Sequence, residues 1–255
     1  MTHRYFIEFA FEGTRYHGWQ IQKNTRTVQQ VLNEACSLLL REPVKLTGCG
    51  RTDTGVHARQ FFAHFEITRE IPAEEREKLV YKLNSFLDSD IAVYNLFPVK
   101  PRVHARFSAL ARTYRYVISR NKDPFRVDRA YYLYGELDVE RMNQGAEFLL
   151  SVSDFTSFSK VSTDTRTNIC RVSAAAWEES GTELVFTIRA DRFLRNMVRA
   201  IVGTLVDLGT GRITYDGFRQ IVASKNRSDA GESVPACGLF LEEVSYADGI
   251  RLEHG

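Results

Sequence analysis

Cysteine is scarce in this chain. Only Cys36, Cys49, Cys170 and Cys237 occur among 255 residues, and no two form a C-x-x-C pair. That spacing excludes the dense disulfide framework of a small secreted scaffold and leaves reduced, mostly buried thiols as the expectation. The six histidines show no metal-ligand spacing: His57 and His64 lie seven apart without a cysteine or carboxylate pattern around them, so no metal is expected. Long hydrophobic runs are missing too, which excludes a membrane-spanning helix of ordinary length. Glu8 and Glu12 interrupt the apolar stretch around Tyr5 to Phe11, unlike the core of a signal peptide, and a cytoplasmic protein is expected. The phosphate-cradling G-x-x-x-x-G-K-[ST] loop is absent, which disfavours a small-molecule nucleotide enzyme.

What remains is an ordinary globular composition, 44% hydrophobic and 26% charged, on a chain long enough for one large domain or two smaller ones. The net charge of +2 conceals an uneven distribution. From Arg102 to Arg129 there are eight bases against two acids, and from Glu232 onward five acids against one base. Arginine supplies 26 of the 34 bases, and guanidinium both pairs bidentately with phosphate and stacks on bases. A polyanionic partner bound on one surface fits this pattern; composition alone leaves a solvated, arginine-rich surface equally open.

Periodicity organises the chain into two halves. Arg4 to Phe11 reads as a strand. Thr27 and Gln30 form a capping-box pattern ahead of a helical stripe made of Val28, Val31, Leu32, Ala35, Leu38 and Leu39, which Pro43 ends. Val44 to Cys49 and Gln60 to Ile67 read as strands around a loop, Pro72 opens a second helix, and Ile91 to Val99 is a further strand. The order β-α-β-β-α-β is the ferredoxin-like signature. A basic connector, Lys100 to Ser108, leads into a similar second half. Its strands are Ala111 to Ser119, a short one within Tyr131 to Tyr134, a hairpin around Gly181 and Gly238 to Tyr246; its helices start near Asp138, Phe193 and Thr214. The expected fold is therefore α+β, with two ferredoxin-like halves, residues 1–104 and 105–255, and an active-site cleft between them.

The segment Gly50-Arg51-Thr52-Asp53-Thr54-Gly55-Val56-His57-Ala58 is the densest polar cluster set between two apolar strands. Its glycines allow the loop to present one side chain in a fixed pose. Asp53 is its only carboxylate, and Arg51, two residues earlier, is placed to keep that carboxylate ionised. An aspartate with neither a metal nor a histidine partner pattern suggests a nucleophile or a base; on pattern alone a turn or cap residue is the commoner role.

Read with its neighbours, Gly50 to Ala58 closely resembles the active-site loop of the tRNA pseudouridine synthase A family. So do Tyr16-His17-Gly18-Trp19-Gln20, Thr27-Val28-Gln29, Ala111 to Tyr116, Asp154-Phe155-Thr156-Ser157-Phe158, and Phe193 to Arg199 followed by Val202-Gly203. The motifs run in order from about Tyr5 to Tyr246. Asn196 departs from the pattern, where many members carry histidine, and so does Cys237. The resemblance implies isomerisation of uridine to pseudouridine at positions 38 to 40 of the tRNA anticodon stem-loop, with Asp53 as the catalytic aspartate. It implies no cofactor, and a homodimer whose two subunits touch one tRNA. It also places Tyr114 in the active site and makes Arg199 the partner of Asp53.

Arg112, Tyr114 and Tyr116 alternate along one strand and share a face, as stacking on a flipped base requires. Tyr116 is expected to be an ordinary strand residue, and Tyr114 a functional one. Arg192, Arg195 and Arg199 fall at steps of three and four and are expected along one side of a helix start, with Arg199 turned toward the core. An Asp53–Arg199 pair would satisfy both charges, whereas a buried guanidinium without a partner is costly. His57 is expected to stabilise its loop, and Trp19 either to contact RNA or to pin the loop down. The competing reading is a non-catalytic RNA-binding module on a ferredoxin-like scaffold. It lacks the Lys/Arg-Gly-aromatic signature of RNA-recognition motifs.

Overall fold

Nine strands and five α-helices make up the described residues, 2–160 and 167–252, of the computed structural model, a mixed α+β protein. Its internal contacts divide it into two units, Met1–Leu110 with Leu241–Gly255, and Ala111–Phe240. The last strand of the sequence therefore groups largely with the first unit.

In the first unit β1 (His3–Phe11) is central, antiparallel to β3 (His57–Ile67) on one edge and to β4 (Ile91–Pro98) on the other. The far edge of β3 carries the two-residue β2 (Thr47–Gly48) and β9 (Leu239–Tyr246). Register sets aromatic rings against each other: Phe9 lies opposite Phe61, and their centroids are 5.2 Å apart. Helices α1 (Val28–Leu40) and α2 (Ala73–Phe86) complete the unit. Thr27 caps α1, accepting from the Gln30 N–H at 3.4 Å, but the Gln30 side chain turns to Glu34 instead of closing a capping box. Leu38, expected in the apolar stripe, is 60% exposed, because the buried face runs through Val28, Leu32, Ala35, Cys36 and Leu40.

The strand expected over Val44 to Cys49 shrinks to Thr47–Gly48. Side chains of α1 occupy the backbone groups that a longer strand would pair. Ser37 Oγ accepts from Val44 N–H at 2.8 Å, Asn33 Oδ1 from Leu46 N–H at 2.9 Å, and Gln29 Nε2 donates to the Leu46 carbonyl at 2.7 Å.

In the second unit β8 (Glu183–Ala190) is antiparallel both to β5 (Ala109–Ser119) and to β7 (Val172–Ser180), while β6 (Tyr131–Tyr132) runs parallel to β5. The β7–β8 hairpin turns at Gly181, whose φ of 59° is a left-handed conformation that glycine adopts without strain. Three helices, α3 (Val139–Phe148), α4 (Met197–Gly209) and α5 (Tyr215–Ser224), pack together, and α3 also lies on β7. Asn143 clamps α3 to that strand, donating to the Trp177 carbonyl at 3.1 Å and accepting from its N–H at 2.8 Å. The four cysteines are free thiols, three of them buried.

The α4 helix begins four residues later than its apolar periodicity suggests. Asn196 has φ 67°, a left-handed conformation that a continuing right-handed helix excludes. Arg192 and Arg195 therefore lie on a non-helical approach, and only Arg199 belongs to the helix.

Candidate active site

Asp53 sits in the loop between β2 and β3 of the first unit, half-buried, with its carbonyl accepting from the Val56 N–H at 3.2 Å. The loop does not stand alone. A second loop, from Glu12 to Trp19, lies against it along its length. Gly55 N–H donates to the Tyr16 carbonyl at 3.3 Å, and Trp19 N–H donates to Thr52 Oγ1 at 3.0 Å. Two glycines make this approach feasible. A Cβ on Gly13 would collide with the Val56 carbonyl and one on Gly18 with the Thr52 carbonyl, both far inside van der Waals contact. Gly18 also has φ 79°, so a side chain there would be strained even with room.

Buried anchors fix the second loop in turn. Trp19 is 3% exposed and packs 4.6 Å from Phe61. That settles its role as pinning the loop. Tyr16 is buried and donates to Asp90 Oδ1 at 2.7 Å, and burial together with this bond raises the phenol's pKa. His57 is buried, and its Nδ1 accepts from the Gly13 N–H at 2.9 Å. Glu12 Oε1 approaches the same nitrogen to 3.3 Å. His57 is thus a loop-stabilising residue. Arg51 is exposed and forms no ion pair among the described residues, Asp53 included.

The second unit holds the other expected site residues. Tyr114 is half-buried on β5, in register with Ile188, and meets the Phe193 ring edge-on at 5.0 Å. Tyr116, two residues on, is fully buried, and its hydroxyl donates to the Pro235 carbonyl at 2.8 Å; burial raises its pKa. It is a core residue. Arg112 Nη1 donates to the Asp191 carbonyl at 3.0 Å. Arg199 is half-buried on the first turn of α4, where its Nε donates to the Val234 carbonyl at 2.7 Å and its own carbonyl accepts from the Val234 N–H at 3.3 Å. Asn196 and Arg227 both donate to Ser233 Oγ, at 2.5 and 2.9 Å, and secure the segment that orients Arg199. Sequence spacing gives no hint of this support, because Val234 lies 35 residues beyond Arg199.

Within the first unit, a loop fitted through two glycines presents one aspartate, the arrangement that a nucleophile or base needs. The chain matches the family model described as tRNA pseudouridine synthase over residues 8–108 and 149–247, and it belongs to that family of isomerases. Asp53, Arg51 and Arg199 fall inside the matched spans, and Tyr114 lies between them. Among curated relatives, tRNA pseudouridine synthase A of Parabacteroides distasonis is 51% identical over 96% of each chain. That of Bacteroides thetaiotaomicron is 50% identical over 98% of this chain and 93% of its own, and that of Porphyromonas gingivalis 49% over 98% and 99%.

Proposed function

We propose that this chain converts uridine to pseudouridine at positions 38 to 40 of the tRNA anticodon stem-loop, with Asp53 as nucleophile. The observation that carries the proposal is the pose of Asp53: the one carboxylate of a loop whose backbone is tied to a second loop through two glycines that tolerate no side chain. A general structural aspartate would not need such fitting.

In the reaction the C1′–N1 bond of uridine breaks. The Asp53 carboxylate either bonds to C1′ or assists formation of an unsaturated sugar. The freed uracil turns, C5 bonds to C1′, and the C5 proton leaves while N1 gains one. Atoms and electrons balance without a co-substrate. Tyr114 lies against the uracil and takes part in the proton movement. Arg51, exposed beside the loop, meets RNA phosphate, and Arg199 supplies the positive charge that Asp53 works against.

Antiparallel pairing in the order β4-β1-β3-β2, with α1 and α2 as the two crossovers, supports a ferredoxin-like first unit. The same reading makes the protein a cytoplasmic homodimer, a species of twice 29.2 kDa in sedimentation. No helix among the described residues is long and apolar enough to cross a membrane.

Unmodified tRNA carrying tritium at uridine C5 tests the proposal. Tritium should pass to water in plain buffer containing a chelator, and release should stop when uridines 38 to 40 are replaced by cytidine. Release that ignores the replacement places the activity elsewhere in the RNA; no release overturns the isomerisation.

Arg199→Lys addresses the arginine. Lysine keeps the charge but cannot reproduce both the Nε donor to Val234 and a guanidinium plane. Turnover should fall by about tenfold or more with tRNA affinity little changed. A fully active lysine variant would show that charge alone suffices and that the Val234 contact is incidental.

A further inference from the structure

The connector from Lys100 to Ser108 in the first unit is more firmly built than a link between strands requires. Ala105 is fully buried; its N–H donates to His64 Nδ1 at 3.2 Å and its carbonyl accepts from the Tyr246 hydroxyl at 2.6 Å. Arg4 Nη1 donates to the Val103 carbonyl at 2.8 Å. His104 closes the rest. Its N–H donates to Ser108 Oγ at 2.9 Å, its carbonyl accepts from the Ser108 N–H at 2.9 Å, and its Nδ1 accepts from the N–H groups of Arg106 and Phe107 at 3.0 and 3.3 Å. Burial, reinforced by the neighbouring His104, lowers the pKa of His64 to about 4, so its Nδ1 stays available as an acceptor.

This scaffold presents Phe107 to solvent. The ring is 75% exposed, two residues from an alanine with no exposure at all. The His104 ring lies 4.4 Å from it and the Arg106 guanidinium 5.5 Å. Lys100, Arg102 and Arg106 are exposed in the same segment, and no acid occurs from Lys100 to Leu110. An isolated exposed phenylalanine needs no explanation. One held by a hydrogen-bonded turn, with a guanidinium over its ring and further cations in the same segment, has the chemistry of a nucleotide contact, a π-face for the base beside donors for its phosphates.

We infer that Phe107 is a stacking platform for an unpaired base of the RNA substrate, with Arg102 and Arg106 engaging the adjoining phosphates. The inference rests on the tRNA reading above and adds to it a binding site outside the Asp53 loop.

Phe107→Trp reports on stacking directly, since Trp19 and Trp177 are each only 3% exposed and the new indole would be the solvent-facing one. Titration with unmodified tRNA transcript should quench its fluorescence saturably. Phe107→Ala should weaken tRNA binding on the order of tenfold, and Phe107→Tyr should restore it. Absence of quenching at saturating tRNA, or wild-type affinity in the alanine variant, overturns the platform. So does an alanine variant that changes sedimentation instead of RNA affinity, which would make the ring a protein contact. Wild-type tritium release measured alongside separates the two proposals: release without quenching overturns the platform alone, and no release overturns the isomerase reading beneath it.

Discussion

Tyr114→Phe is expected to slow single-turnover isomerisation about a hundredfold, nearly as far as Tyr114→Ala. The ring already has an apolar partner in Phe193, which meets it edge-on at 5.0 Å, and a phenylalanine would keep that contact. Phenylalanine is also abundant in this chain, at 17 residues, and a site that only stacks a base would be served by it. The hydroxyl at position 114 therefore points to proton transfer as the uracil leaves and rejoins. Tyr116 provides the internal contrast: its hydroxyl is committed to the Pro235 carbonyl in the core, and its role is packing. Single-turnover rates at saturating enzyme separate the roles. A phenylalanine variant near the wild-type rate would rule out proton transfer and leave stacking, worth roughly 1–3 kcal/mol on truncation to alanine. Wild-type behaviour in both variants would remove Tyr114 from the site.

Several helices are legible in the sequence because their periodicities are strong and their caps are local. Thr27 and Asp138 each accept from the N–H three residues on, as their patterns suggest, and Thr214 does the same at the start of α5. The failures come from features that periodicity does not register. The strand after α1 is cut to two residues by Ser37, Asn33 and Gln29, whose hydrogen bonds no window of alternating hydrophobicity registers. The start of α4 moves to Met197 because one asparagine takes a left-handed conformation amid an otherwise unbroken apolar period. Asp53 was legible as the lone carboxylate of a glycine-bounded loop; the devices that hold it were only half so. Gly13 and Gly18 are visible as glycines, but their purpose depends on which carbonyl passes over them, and that is a matter of tertiary approach.

Catalysis by the Asp53 carboxylate is the central claim, and Asp53→Asn tests it with the least disturbance. The Asp53 carbonyl, Thr52 Oγ1, the Tyr16 carbonyl and two glycines all help to hold the loop, and the substitution touches none of these. Affinity should come chiefly from phosphate contacts spread over many arginines. Tritium release from C5-labelled tRNA should therefore fall to the blank, while tRNA affinity stays within a small factor of wild type. An asparagine variant that retains even a few per cent of wild-type release, in protein free of contaminating host enzyme, would contradict the assignment of Asp53 as the nucleophile.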